Sequence, residues 1–352
     1  MSSITVQSLN GSYDVSLGSA QDIFELTTLK SPILIDKFFD TASFVEPQNA
    51  LTITASEEQK SLSTVERLLI EIKSLGTTRD DKLIAVGGGI IQDVATLTAS
   101  LYMRGLEWIY YPTTLLAMVD SCIGGKSSIN AGGIKNLVGN IYPPTAVIID
   151  ESFIQTLGER DRISGLFEAL KISYCAGNDN FISMCEQMDT VDVAGYGQVI
   201  LQSLSAKKWF IEKDEFDKDE RRLLNFGHTF GHALEVATKY SIPHGIAVGL
   251  GMLCAVKFVG RTRELTEHEV ALHNQCTSLV KRLYNKEHNL PSLDLNLFLK
   301  TFKSDKKHSS SSYCLVLPRQ DNGVEIVELQ KNLRSEEDIK ETVCSVLENL
   351  SE

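Results

Sequence analysis

The residues best suited to chemistry cluster in Arg221-Arg222-Leu223-Leu224-Asn225-Phe226-Gly227-His228-Thr229-Phe230-Gly231-His232. His228 and His232 stand four apart, so on a helix they share a face. Gly227 and Gly231 repeat that spacing and leave a smooth stripe where a backbone, a metal or a ligand can come close. A third histidine follows in Pro243-His244-Gly245. Zn²⁺ accepts imidazole nitrogen and carboxylate oxygen, and a catalytic site keeps one position open for substrate. On spacing alone His228 with His232 is the first pair to choose, as in i,i+4 zinc helices. Glu168 and Lys171 stand three apart in an otherwise apolar helical stretch. Such a pair is either a surface ion pair or a metal ligand and a cation facing one site.

Two glycine-rich stretches add a second chemistry. Leu83-Ile84-Ala85-Val86 runs into Gly87-Gly88-Gly89, with Asp93 four residues on. A strand, a glycine turn and a helix let backbone N–H groups approach a pyrophosphate, although the GxGxxG fingerprint is missing. Val119-Asp120-Ser121-Cys122-Ile123-Gly124-Gly125-Lys126 and Gly133-Ile134-Lys135-Asn136 place two lysines and an asparagine among glycines. That composition suits an oxyanion or phosphate cradle, or else a solvated loop.

The elements that must carry these residues change character along the chain. Residues 4–9 and 13–17 alternate around Asn10-Gly11, a hairpin signal. Short apolar strands are expected over 32–36, 50–54, 83–86, 108–111 and 146–150, with helices over 57–75 and 90–103. Strands alternating with helices predict a parallel-rich, Rossmann-like sheet covered on both faces. Beyond it, helices are expected over 159–174, 193–213, 224–239, 245–261, 267–284 and 335–350, with one late hairpin around Asp321-Asn322-Gly323. The expectation is an α/β domain over 1–152 and a helical domain over 153–352.

A net charge of -12 argues against non-specific binding to nucleic acid or anionic membrane, but leaves room for a locally basic pocket. Seven scattered cysteines without a CxxC suit reduced thiols and a cytoplasmic location. No apolar run is read as approaching the ~18 residues that span a membrane.

Taken together the motifs resemble the 3-dehydroquinate synthases and, more broadly, the sugar phosphate cyclases. The resemblance runs in order over residues 57–318, through Gly87-Gly88-Gly89 with Asp93, Met103-Arg104-Gly105, Pro112-Thr113-Thr114, Gly124-Gly125-Lys126, Lys135-Asn136, Glu168 with Lys171, Asn225 to His232, His244-Gly245 and Asp305-Lys306-Lys307. It implies the two-domain fold of that family, NAD and a divalent metal, Zn²⁺ before Co²⁺. It implies Glu168, His228 and His244 as metal ligands, with His232 turned to the substrate phosphate. NAD would meet Asp36, Glu57, Lys60, Gly88, Gly89, Asp93, Thr113, Thr114, Lys135 and Thr156. The phosphate would meet Lys126, Asn136, Asn225, His232 and one of Lys306 and Lys307, with Arg104 supplied by the second subunit of a homodimer. Lys207 and Arg221 would meet a carboxylate, and Asp120 and Lys171 the ring hydroxyls. The implied reaction cyclises the sugar acid 3-deoxy-arabino-heptulosonate 7-phosphate to 3-dehydroquinate with loss of phosphate. Other sugar phosphates, or a polyol as a dehydrogenase substrate, are the competing readings. Two departures stand out: Gln92 and Asp219 occupy positions where the family usually has glycine. A side chain at 92 would either crowd a pyrophosphate or face away from it.

Overall fold

The computed structural model describes residues 3–9, 11–19, 31–39, 49–284 and 293–351. They form two compact units, Met1–Leu157 with Lys207–Phe216, and Gly158–Ala206 with Asp217–Glu352.

The first unit is built on a seven-stranded sheet of order β1-β2-β9-β6-β5-β3-β4. Its strands are β1 (Ser3–Ser8), β2 (Gly11–Leu17), β3 (Ile33–Asp36), β4 (Ala50–Ile53), β5 (Lys82–Gly87), β6 (Glu107–Pro112) and β9 (Ala146–Ile149). Only β1 and β2 pair antiparallel; every other neighbour is parallel. Asn10, at the expected turn between them, lies outside the described residues. The inner strand β5 reads Leu-Ile-Ala-Val-Gly and is buried throughout those residues. A run that is apolar at every position cannot leave one face in water, so it sits mid-sheet under cover on both sides. The chain steps from β3 outward to β4, then returns to lay β5 on the other side of β3. That reversal is a topological switch point, where open α/β sheets bind ligands at the carboxyl ends of their strands. Helices α1 (Leu62–Ser74) and α2 (Gly89–Leu101) follow β4 and β5. The expected helix over 57–75 begins later, because Ser61 caps it by accepting from the Thr64 N–H at 3.3 Å. A small hairpin, β7 (Ile129–Ala131) with β8 (Ile134–Val138), was not expected from sequence; its exposed strand lacks the alternation that marks a half-buried one.

The second unit is helical, with α3 (Glu159–Cys175), α4 (Asn178–Ala194), the first part of α5 (Gly197–Lys213), α6 (His228–Ala237), α7 (His244–Thr262), α8 (Glu267–Tyr284), α9 (Leu295–Lys303) and α10 (Leu333–Ser351). The hairpin β10 (Ser312–Pro318) and β11 (Val324–Gln330) completes it. Three expectations need correction. The helix over 193–213 starts at Gly197, because Gly195 at φ 79° ends α4 just before it. The helix over 224–239 is two elements: a 3-10 turn, Glu220–Asn225, and then α6, separated by Gly227 at φ 76°. Arg221 and Asn225 therefore do not sit on the helix that carries the histidines. Helices α4 and α9 were missed, the latter being only 9 residues long. Its signals are the Asp294 cap, which accepts from the Leu297 N–H at 2.9 Å, and the buried Phe298 and Phe302.

The core of this unit is α7, packed against α3, α6, α8 and α10. By length and composition α7 passes as membrane-spanning, against the expectation that no run comes close, but 78% of its most apolar window is buried. Its apolarity serves the protein interior. The glycine stripe is resolved in the same way: what comes close is another backbone. A Cβ on Gly231 would stand 2.9 Å from the Ala247 carbonyl oxygen, and one on Gly251 would stand 2.0 Å from that of Gly227.

Candidate active site

In the second unit three helices bring their polar residues to one point. Glu168 and Lys171 come from the middle of α3, His228 and His232 from the first two turns of α6, and His244 from the start of α7. Glu168 and Lys171 are 0% and 2% exposed, so theirs is no surface pair. Lys171 Nζ holds Glu168 Oε2 at 2.7 Å. The other carboxylate oxygen, Oε1, faces two imidazoles: His244 Nε2 at 3.5 Å and His228 Nε2 at 3.8 Å. Two ligands at ~2.1 Å on a tetrahedral ion stand roughly 3.4 Å apart, so Glu168 Oε1 stands from each Nε2 at close to the spacing of two ligands on one divalent cation.

The far side of each ring decides which nitrogen is presented. His228 Nδ1–H donates to the Phe226 carbonyl at 3.2 Å, and His244 Nδ1–H donates to Glu235 Oε2 at 3.3 Å. A backbone carbonyl only accepts, so the neutral His228 ring keeps its lone pair on Nε2. A histidine ligand is commonly oriented by such a partner on its second nitrogen. Burial and the nearby Lys171 hold the His228 pKa well below its usual value, so the ring is neutral and can coordinate. For His244 burial acts downward, but the hydrogen bond to Glu235 and the charge of Glu168 outweigh it and raise the pKa. The ring atoms of His232 lie within 4.8 Å of those of His228 and His244, so spacing does not exclude it as a ligand. His232 is exposed, however, and lines an adjoining cavity of about 510 Å³. Asn225, Arg222, Thr229, Lys306 and Lys307 line the same cavity. Lys307 reaches Asp305 at 2.7 Å, whereas Lys306 is exposed. Arg222 and Thr229, together with Glu235 behind His244, are the residues that sequence reasoning overlooked. Glu235 was readable as the carboxylate three residues after His232; Arg222 was masked by its neighbour Arg221, which is buried and does not line this cavity.

The first unit gathers another set. Asp36 ends β3, Gly88 and Gly89 follow β5, and Thr113 and Thr114 follow β6, so all five stand at the carboxyl ends of adjacent strands. Glu57 lies in the 3-10 turn after β4, and Thr156 in the one after β9. Gly88 has no room for a side chain, since a Cβ would meet Thr114 Cγ2 at 2.9 Å, while Gly89 opens on free space at the start of α2. Open backbone at a helix N-terminus suits a pyrophosphate. Asp93 is tied into the protein: Lys60 Nζ sits at 2.8 Å and the Ser128 N–H at 2.9 Å. Lys60 also donates to Asn136 Oδ1 at 3.2 Å. Lys126, Lys135 and Asn136 are exposed on the loop and hairpin that follow, and Arg104 is exposed in a turn where Met103, Arg104 and Gly105 all have positive φ. Lys207 Nζ bonds Asp120 Oδ1 at 2.5 Å and the Asp120 carbonyl at 2.5 Å.

A two-unit fold of this kind, with a parallel sheet followed by helices, is that of the sugar phosphate cyclases. A 2-deoxy-scyllo-inosose synthase solved with carbaglucose-6-phosphate, NAD+ and Co2+ superposes with a TM-score of 0.82 at 24% identity, over 97% of this chain and 99% of that one. ValA, a 2-epi-5-epi-valiolone synthase from Streptomyces hygroscopicus with NAD+ and Zn2+ bound, superposes at 0.78 and 24% identity, over 98% and 99%. Sequence narrows the class. The 3-dehydroquinate synthase N-terminal model matches residues 50–164 and the C-terminal model residues 165–308. The 3-dehydroquinate synthase of Dictyoglomus turgidum is 37% identical over 301 residues, 84% of this chain and 83% of that protein. The chain belongs to the 3-dehydroquinate synthase family.

Proposed function

We propose that the protein cyclises 3-deoxy-arabino-heptulosonate 7-phosphate to 3-dehydroquinate and phosphate, using NAD and a divalent metal, with Zn²⁺ the first choice. The observation that carries this reading is the placement of Glu168, His228 and His244 beside a cavity lined by His232, Asn225, Arg222, Lys306 and Lys307. A polyol dehydrogenase on the same fold has no use for Arg222, Lys306 and Lys307 around such a cavity, where Asp217 and Asp305 offset only part of their charge. Bound NAD would supply an acceptor, and later a donor, of hydride for the carbon that bears a substrate hydroxyl, and a metal held by Glu168, His228 and His244 would lower the pKa of that hydroxyl.

The chain's own residues divide the remaining work. Residues 1–152 would hold NAD through Asp36, Glu57, Lys60, Gly88, Gly89, Asp93, Thr113, Thr114 and Lys135, with Thr156 just beyond them adding a contact; residues 153–352 would hold the metal. In the second unit Asn225, His232, Lys306 and Lys307 would bind the phosphate, and Arg221 the carboxylate. Lys171 would hold Glu168 in place and meet a ring hydroxyl. In the first unit Lys126 and Asn136 would add to phosphate binding, and Asp120 and Lys207 would orient the substrate. Fixed cations stabilise the phosphate dianion as its C–O bond breaks, and they need no reorganisation at that moment. Arg104 would act across a homodimer, in the cytoplasm.

The test is phosphate release from Zn²⁺-loaded protein with NAD+, offered the seven-carbon sugar acid beside sedoheptulose 7-phosphate and glucose 6-phosphate. Release from the sugar acid alone, with 3-dehydroquinate formed, is the expected result. Release from another sugar alone would move the protein to a different cyclase and overturn the assignment.

A further inference from the structure

Gln92 lies in the first turn of α2, next to Asp93 and four residues after Gly88. It is 3% exposed. Its side chain does not crowd a pyrophosphate, because both polar atoms of the amide are committed elsewhere. Nε2–H donates to the Ser121 carbonyl at 2.5 Å, and Oε1 accepts from the Ser121 hydroxyl at 2.6 Å. The amide thus grips one residue at two points, which fixes the position and the rotation of that residue.

What it grips is the end of an unusual element. Ala117–Ser121 is a π-helical turn, a form that is rare and often found at functional sites. Asp120 is the residue before Ser121, and it pairs through both its carboxylate and its carbonyl with Lys207, which is 6% exposed. Lys207 also reaches the Ile123 carbonyl at 3.4 Å. Asp93 performs a parallel task one residue on, holding Lys60 and the Ser128 N–H. The start of α2 therefore anchors the π-helical turn through Gln92 and two further segments, at Lys60 and Ser128, through Asp93.

We propose that Gln92 is a positioning residue: its bidentate hold on Ser121 sets the π-helical turn so that Asp120 and Lys207 meet in the geometry that the reaction uses. This rests on the functional reading above. Glycine at position 92 would leave the half-buried Ser121 carbonyl and hydroxyl without these partners.

Two measurements on Gln92→Leu, which keeps the volume and removes both hydrogen bonds, test it. The first needs no substrate: amide hydrogen exchange in the full-length protein. Exchange should rise over residues 117–124 and stay unchanged over 82–87 of β5; equal protection in both segments overturns the clamp. The second is a double-mutant cycle on turnover with Lys207→Ala. Gln92→Leu should lower kcat by about tenfold to a hundredfold, the scale of a misplaced group, with the NAD+ affinity unchanged. In the Lys207→Ala background that effect should largely vanish. An equal loss in both backgrounds would mean a merely structural role, and a wild-type kcat would refute the proposal outright. If the wild-type protein itself fails to turn over the sugar acid, the functional reading falls, and the exchange result alone decides whether Gln92 holds the turn.

Discussion

The contact between α6 and α7 makes a prediction that can be worked from distances. Gly251 on α7 lies against the start of α6, where an added Cβ would stand 2.0 Å from the Gly227 carbonyl oxygen, 2.8 Å from the Gly231 nitrogen and 3.0 Å from the Gly227 carbonyl carbon. A carbon and a carbonyl oxygen normally approach to about 3.3 Å. Backbone has no rotamer to turn aside, so Gly251→Ala must push the helices apart by roughly 1 Å. A gap of that size forfeits a quarter to a half of each affected contact. The overpacking penalty is then at or above the usual ~3 kcal/mol, against a helix-propensity gain of ~1 kcal/mol, for a net loss of about 2 kcal/mol or more. Gly231→Ala meets the Ala247 oxygen at 2.9 Å and asks for a much smaller shift, so its net effect should stay under about 1 kcal/mol. Gly260→Ala, in the same helix as Gly251, finds only Leu265 Cδ1 at an ordinary 3.5 Å and should be neutral to stabilising by ~0.5–1 kcal/mol. Denaturant midpoints of the three variants give the order directly. Because His228 and His232 ride on α6 and His244 on α7, metal affinity measured by chelator competition should fall in Gly251→Ala and not in Gly260→Ala. A Gly251→Ala protein with wild-type stability and wild-type metal affinity would refute the claim that backbone proximity sets this site.

Other residues make narrower predictions. His244→Ala should lose bound metal and turnover together, read by metal analysis of the purified protein. Glu235→Gln keeps the shape but weakens the hold on His244 Nδ1, so metal affinity should fall by about 10- to 100-fold while the fold persists. Arg222→Ala should raise the KM for the phosphorylated substrate and leave the NAD+ affinity alone, since Arg222 lines the cavity with Lys306 and Lys307. Glu269 at the start of α8 is gripped by the Arg263 guanidinium at 2.5 Å and accepts from Thr266, and these bonds hold its pKa down at about 2. A depressed carboxylate contributes stability above its unfolded value and loses it as pH falls through the folded one. The stability gap between wild type and Glu269→Gln should therefore be full above pH 4.5, at most roughly 3 kcal/mol, and close between 4.5 and about 2; a gap independent of pH would count against the pair.

The sheet was legible because its signal is local. Leu83–Gly87 is apolar at every position, and that alone puts it mid-sheet with a glycine turn at its end. Helix α9 and the β7–β8 hairpin escaped because a short element earns little of its stability from its own pattern and most of it from what it packs against. The split at Gly227 escaped for a different reason. The apolar period continues across it, whereas the break is a backbone rotation that glycine permits without requiring.

The histidines show most clearly where spacing stops. An i,i+4 pair guarantees only that two rings share a helix face; it says nothing of which ring nitrogen each presents. Here that is settled by partners that the i,i+4 spacing does not name. Phe226, just before α6, takes the Nδ1 proton of His228. Glu235, nine residues from His244, takes that of His244. Glu168, on another helix, turns one oxygen to Lys171 and the other to both Nε2 atoms. His232 meets the same test of proximity, and it also lines the cavity with Lys306 and Lys307. Which nitrogen each ring presents, and what it faces, therefore resides in Phe226, Glu235 and Glu168, and only the fold brings those three together.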